Sequence, residues 1–313
     1  GSQRKKAKDE AKAKLADGTV KIAVGTHALF SDDVEFQNLG LVIVDEQHRF
    51  GVAQRLALKN KGRDVHQLMM SATPIPRTLA MSFFADLDVS VIDELPPGRT
   101  PIKTRLVNNI RRAEVEGFVL NICRKGQQAY WVCPLIEESE TLQLQTATET
   151  LEQLQVALPE LSIGLVHGRM KAAEKAEVMA EFAAGRLNVL VATTVIEVGV
   201  DVPNAALMVI EHAERMGLAQ LHQLRGRVGR GAAESVCVLL FAEPLSELAK
   251  ARLKVIYEHT DGFEIARQDL NIRGPGEFLG ARQSGVPMLR FANLEEDLHL
   301  LEQAREIAPL LIE

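Results

Sequence analysis

Two adjacent carboxylates close an apolar run in Leu41-Val42-Ile43-Val44-Asp45-Glu46-Gln47-His48. Four aliphatic residues in a row read as a strand, so the acids stand at its carboxyl edge, the edge at which α/β proteins bind ligands. There Asp45 can hold Mg²⁺, and Glu46 can orient or deprotonate a water for attack on a phosphoryl group. An acidic pair after a strand is also a common solvated turn, and company decides between the two. Met70-Ser71-Ala72-Thr73-Pro74-Ile75-Pro76-Arg77 follows the next strand and sets the hydroxyls of Ser71 and Thr73 at the same kind of edge. Far downstream comes Gln223-Leu224-Arg225-Gly226-Arg227-Val228-Gly229-Arg230-Gly231. Arg227 and Arg230, three apart, are expected to share a helix face and reach one anionic target, the usual work of guanidinium groups beside a transferred phosphate. Between these lies Val191-Ala192-Thr193-Thr194-Val195-Ile196-Glu197-Val198-Gly199-Val200-Asp201-Val202-Pro203, a strand edge followed by a turn with Gly and Pro. Thr193, Thr194, the backbone around Gly199 and Asp201 can contact ribose, phosphate or a nucleic-acid backbone. Gly25-Thr26-His27-Ala28 and His167-Gly168-Arg169-Met170 are further strand ends with polar groups, weak individually.

Those edges need strands and covering helices. Strands are expected at Val20–Gly25, Leu39–Val44, Gln67–Met70, Val89–Ile92, Ile102–Val107, Ala129–Val132, Ser162–Val166, Asn188–Ala192, Ala206–Ile210 and Ser235–Phe241. Many are continuous apolar runs, as in parallel strands covered on both faces. Amphipathic stretches such as Ile110–Arg124, Gln143–Ala157 and Ala172–Ala184 lie between them, and this alternation argues for doubly wound α/β layers. Glu94-Leu95-Pro96-Pro97-Gly98-Arg99-Thr100-Pro101 disfavours helix and ladder alike, so a domain boundary is placed there. From about Asp261 the pattern changes to short helical pieces broken by Gly274-Pro275-Gly276 and Gly280, and a last helix is expected from Leu294 to Leu311. The expected organisation is a first lobe over 1–95, a linker over 96–101, a second lobe over 102–260 and a tail over 261–313. No internal repeat or low-complexity tract is present.

The 313 residues are enough for about two domains at ~150 each. A charged fraction of 25% and a hydrophobic fraction of 46% exclude disordered and fibrous classes. Thirty-six Lys and Arg against 42 Asp and Glu leave a formal charge of −6, so any nucleic-acid site must be a local concentration of positive charge. The first fourteen residues carry six basic side chains against two acids, which reads first as a solvated helix face and second as a DNA-facing one. Cys123, Cys133 and Cys237 form no CxxC pair and read as core residues in a reducing compartment. With no run long enough to span a bilayer and Gly1-Ser2 read as a cloning scar, a soluble, cytoplasmic protein is expected.

The ordered set of DEQH, SATPIPRT, the Thr193–Pro203 loop and QLRGRVGR resembles the motifs of superfamily 2 helicases and translocases. That resemblance implies two RecA-like lobes with Mg·ATP in the cleft between them. It assigns Asp45 to the metal, Glu46 to the water, Gln223, Arg227 and Arg230 to the phosphates, and Gln47, His48, Ser71 and Thr73 to coupling hydrolysis with nucleic-acid movement. The runs Thr73-Pro74-Ile75-Pro76-Arg77-Thr78 and Gly217-Leu218-Ala219-Gln220-Leu221-His222-Gln223, with the Pro-rich linker, are similar to the RecG branch-migration helicases. The tail 266–285 is similar to the helical translocation hairpin that RecG shares with the transcription-repair coupling factor, matching Arg252, Arg273 and Gln283 to positions that act on duplex DNA. The implied fold is α/β, with one truncated and one complete RecA-like lobe followed by that hairpin. The implied partners are forks and Holliday junctions, and single-stranded DNA-binding protein.

None of the 22 glycines is followed by Lys, so no GxxxxGK[ST] phosphate loop is present. By the resemblance, that loop and a DNA-gripping wedge domain belong upstream of Gly25-Thr26-His27, and the first lobe is expected to be truncated, with sheet edge and core exposed. Weak ATP binding and negligible hydrolysis are expected of the chain alone. Two rival readings stand beside the helicase one: a nucleotide-independent DNA-binding module, and a translocase of the coupling-factor type.

Overall fold

The structure, a computed structural model, describes residues 5–46, 61–62, 64–71, 88, 90–92, 94, 99, 101–134, 140–193, 202–231 and 233–273, with 300, 303–304, 307–308 and 311 near the end of the chain. Gln47, His48, Thr73, Thr194, Gly199, Asp201 and Gln283 lie outside the described residues, as do most of the expected 294–311 helix and all of the linker except Arg99 and Pro101. The chain forms two compact units, Gly1–Pro74 and Ile75–Glu313.

The first unit opens with α1 (Lys5–Ala16), a polar helix with no buried residue, as expected of a solvated face. Two short parallel strands follow, β1 (Leu41–Val44) and β2 (His66–Met69), in the register Leu41↔His66 to Val44↔Met69. Residues 20–25, expected as a strand, are not one. Apolar composition alone makes no ladder: among the described residues β1 pairs only with β2, and Ile22 and Val24 are 81% and 95% exposed. The strand expected at 89–92 is likewise absent at the described positions 90–92, where Ile92 is exposed.

The second unit carries a six-stranded, wholly parallel sheet. Its strands are β3 (Lys103–Asn108), β4 (Gln128–Cys133), β5 (Ile163–Val166), β6 (Val189–Thr193), β7 (Ala205–Ile210) and β8 (Val236–Phe241), in the order β3-β8-β7-β4-β6-β5. Every residue of β4, β6 and β7 is buried, which is why these strands read as unbroken apolar runs. Helices α2 (Arg112–Arg124), α3 (Glu140–Ala157), α4 (Ala172–Ala183), α5 (Leu218–Arg225), α6 (Glu247–Glu258) and α7 (Gly262–Arg273) accompany them. One core, with Trp131, Val191 and Val209, packs on α2 and α3 through Val115, Val119 and Leu154. The opposite core, with Tyr130, Leu190 and Met208, packs on α4, α5 and α6 through Phe182, Leu221 and Ile256. Full burial of side chains of this size contributes about 1.5–3 kcal/mol each, so the two cores hold the sheet between its helical layers.

Local chemistry sets the helix ends. Ser246 Oγ accepts from Ala249 N at the start of α6, and the Asp261 carboxylate accepts from Phe263 N and Glu264 N at the start of α7. Beyond α2, Gly126 takes φ +82 while its N–H donates to the Cys123 carbonyl. From β4 the chain runs out to β5 and β6 on one side, then crosses to β7 and β8 on the other. The carboxyl ends of β4, β6 and β7 therefore form the switch point, where open parallel sheets hold ligands.

Candidate functional site

In the first unit, the β1–β2 register brings the two expected motifs out of one sheet edge. Met70 N donates to the Val44 carbonyl at 2.8 Å, so Ser71 leaves β2 beside the point where Asp45 and Glu46 leave β1. Asp45 is exposed, and its Oδ1 accepts from Glu46 N at 2.8 Å. Glu46 adopts φ +52, a left-handed conformation that non-glycine residues seldom take and that clusters at functional edges. One exposed carboxylate at a sheet edge fits Mg²⁺, which is commonly bound through one or two carboxylates with substrate phosphates and water. No cluster of three or more metal-ligating side chains occurs among the described residues. The triphosphate is a different matter. The sequence contains no glycine loop followed by Lys of the kind that cradles a triphosphate.

In the second unit, Thr193 is the buried last residue of β6, opposite Cys133 of β4. Gln223 is half-buried in α5. The helix face expected to join Arg227 and Arg230 does not exist. α5 stops at Arg225, Gly226 caps it, and Gly229 at φ +79 turns the chain, so both arginines sit half-buried in a tight turn. That turn is fixed at two close approaches. A Cβ on Gly229 would come within 2.9 Å of Ile102 Cγ1, and one on Gly231 within 2.3 Å of the Pro203 carbonyl oxygen. The arginine turn is thus pressed against the end of the connection that leads from β6 into β7.

Arg225 does other work. It is 3% exposed and donates through Nη1 to the carbonyls of Ile256 and His259 and to Thr104 Oγ1, and through Nη2 to the Thr260 carbonyl. Its Nη2 also faces His222 Nδ1 at 3.1 Å, which makes that nitrogen the acceptor of a neutral imidazole. Burial first, and the Arg225 charge second, push the His222 pKa down to about 4. Arg225 therefore closes the carboxyl end of α6 from inside the core, while its neighbours two and five residues on belong to the turn. Arg252 lies on α6 with its Nε buried and without a hydrogen-bond partner among the described residues, and Arg273 is the last residue of α7.

A cluster at the switch point was not foreseen. Glu211, the first residue after β7, is 5% exposed, and its Oε1 accepts from Arg112 Nη1 at 2.5 Å and from Trp131 Nε1 at 2.7 Å. The signal was in the sequence: an acid closing the apolar run Ala205–Ile210 repeats the pattern of Val44-Asp45. The three cysteines are free and buried, and burial pushes the Cys123 thiol up to about 11 and those of Cys133 and Cys237 up to about 12.

The second unit's doubly wound, all-parallel sheet, with polar groups gathered at its carboxyl edge, has the RecA-like helicase fold, and the similarities along the chain agree. The DEAD/DEAH box helicase model matches residues 2–82, the helicase conserved C-terminal domain 114–232, and the model for ATP-dependent DNA helicase RecG, domain 3, C-terminal, 259–313. ATP-dependent DNA helicase RecG of Acidithiobacillus ferridurans is 57% identical over 313 residues, covering 100% of this chain and 46% of that protein. RecG of Escherichia coli (strain K12) is 58% identical, covering 98% of this chain and 45% of its own length. A solved structure of RecG bound to a three-way DNA junction superposes with a TM-score of 0.72 at 49% identity, over 96% of this chain and 39% of that one. Mycobacterium smegmatis Lhr, at 18% identity and a TM-score of 0.56, shares the fold. The chain is similar to RecG proteins over its whole length, and it spans about half the length of the curated relatives it matches. No helix among the described residues is long and apolar enough to cross a membrane.

Proposed function

We propose that this chain forms part of an ATP-dependent translocase on double-stranded DNA that remodels stalled forks and Holliday junctions in recombination and repair, acting in the cytoplasm. The observation that carries this reading is the likeness, over 96% of the chain, to a RecG structure bound to a three-way DNA junction. Its lobes and tail divide at the Pro-rich stretch 96–101 and near Asp261. Asp45 binds Mg²⁺ and Glu46 orients the attacking water. Gln223, Arg227 and Arg230 reach the phosphates, where guanidinium charge has most effect on the transition state. Mg²⁺, when bound, screens the charge of the transferring phosphoryl group. Gln47, His48, Ser71 and Thr73 couple turnover to movement. Thr193, Thr194, Gly199 and Asp201 contact nucleotide or DNA backbone, and Arg252, Arg273 and Gln283 act on the duplex. Single-stranded DNA-binding protein is a further partner.

ATP turnover with Mg²⁺, with and without forked duplex, tests the reading. The 313-residue chain, which has no GxxxxGK[ST], is expected to be silent yet to bind forked DNA with a steep salt dependence. The full-length protein is expected to show DNA-stimulated turnover. Full-length protein indifferent to forked DNA would overturn the reading, and robust turnover by the chain alone would overturn the account of its phosphate site.

A further inference from the structure

The carboxylate of Glu211 is buried at the switch point, yet no part of the proposed mechanism uses it. Its backbone N–H donates to the Val132 carbonyl at 2.9 Å, which extends the β4–β7 ladder by one step. Its side chain joins elements far apart in sequence. Arg112, the first residue of α2, donates to it from Nη1, donates from Nε to Glu116 at 3.0 Å, and lays its guanidinium over the Trp131 ring at 4.9 Å from the centroid. Trp131, fully buried in the middle of β4, donates its indole N–H to the same oxygen. The Arg112 Nη2 is buried with no hydrogen-bond partner among the described residues. A buried ion pair with a guanidinium NH2 left unmatched is a poor device for stability, since apolar side chains of similar volume often replace such pairs without loss. What it supplies is direction. Immediately after Glu211 the chain turns through His212, at φ 46, and the short 3-10 turn Ala213–Arg215, then enters α5. α5 carries Gln223 and ends in the turn that holds Arg227 and Arg230.

We infer that Glu211 is a positioning residue for the arginine turn: clamped by Arg112 and Trp131 at the end of β7, it sets the line along which residues 212–217 deliver α5, and with it Gln223, Arg227 and Arg230. The inference rests on the function proposed above. Arginines that act on a transition state need placement to a fraction of an ångström, so a slackened strut lowers kcat while leaving ground-state binding nearly unchanged.

The test uses E211Q and the double variant R112M/E211M, each in the full-length protein for ATP turnover on forked DNA and in this chain for folding. Trp131 is the single tryptophan of the chain, so its emission reports the clamp directly. For E211Q, kcat is expected to fall about tenfold or more with KM for ATP within about twofold, and Trp131 emission to shift, while the chain still melts cooperatively. R112M/E211M removes both charges of the buried pair, at the cost of the Arg112 partner of Glu116 and the acceptor of the Trp131 N–H; it is expected still to melt cooperatively and to lose kcat, which a merely structural pair would not do. Should E211Q fail to fold, the double variant carries the same test. Wild-type kcat in a folded variant, or a kcat loss that tracks lost melting cooperativity, overturns the inference. Wild-type protein without DNA-stimulated turnover overturns the underlying functional reading, and the inference falls with it.

Discussion

Gly231 lies so close to Pro203 that a Cβ on the glycine would stand 2.3 Å from the proline carbonyl oxygen. The neighbour is backbone and cannot swing aside, so the contact locks the arginine turn to the residues entering β7. Gly231→Ala is expected to destabilise the second unit by about 1–3 kcal/mol, the usual range for forced overpacking. Urea unfolding of this chain measures it. An unchanged midpoint would mean that the 202–204 backbone yields freely.

Arg225 and Arg230 separate stability from chemistry. Removing Arg225 leaves the carbonyls of Ile256, His259 and Thr260 without their donor inside the core, and Arg225→Ala is expected to cost about 3 kcal/mol or more. Arg230→Ala is expected to cost this chain less stability than Arg225→Ala, since Arg230 is only half-buried. In the full-length protein it should reduce ATP turnover on the order of a thousandfold, the scale of an arginine acting on phosphoryl transfer. Turnover that survives Arg230→Ala would sink that assignment.

His222 makes the fold sensitive to acid. Its folded pKa of about 4 lies below the ordinary 6.5, through burial and the Arg225 charge. The unfolded chain therefore binds the extra proton more readily between those values, and stability rises with pH across that window and is lost as pH falls from 6.5 toward 4. The loss reaches at most roughly 3 kcal/mol for this one group. His222→Gln should flatten the dependence in melts recorded from pH 7 to pH 4; an identical slope in the variant would assign the effect elsewhere.

One face of the first unit's two-stranded sheet carries exposed apolar side chains. Ile43 pairs with Leu68, and both, with Leu41 and Met70 on the same side, are exposed. Exposed apolar strand faces invite association. The chain is expected to sediment as oligomers whose fraction grows with concentration, and Ile43→Lys with Leu68→Glu should return it to monomer. Wild-type chain that stays monomeric at high concentration would contradict this.

Cys123, Cys133 and Cys237 are buried thiols held well above their usual pKa, so the reactive thiolate is scarce at neutral pH. A disulfide-exchange reagent at pH 7 should label none of them in folded chain on the time scale of minutes and all three in denaturant. Rapid labelling of native chain would show an opening of the second unit's core.

The order and type of most elements were legible in the sequence, because each is a local property. Runs such as Gln128–Cys133 and Ala205–Ile210 are apolar without alternation because the sheet is covered on both faces, and the strands of the second unit lie within a residue or two of where those runs place them. The strand-edge position of Asp45, Glu46, Ser71 and Thr193 followed from the same pattern. Other features depended on partners remote in sequence. Val20–Gly25 has the composition of a strand but pairs with no strand among the described residues. Three arginines two and three residues apart look alike on paper; yet Arg225 is buried and bonded to the Ile256 carbonyl, while Arg227 and Arg230 occupy a turn pinned by Pro203. Glu211 meets Arg112 across 99 positions of chain. Periodicity, caps and turn residues act over a few residues, so the sequence by itself determined which segments become strands and helices. Which side chain is buried, which carbonyl a guanidinium reaches and which carboxylate becomes a strut were decided only when the parallel sheet brought distant segments into contact.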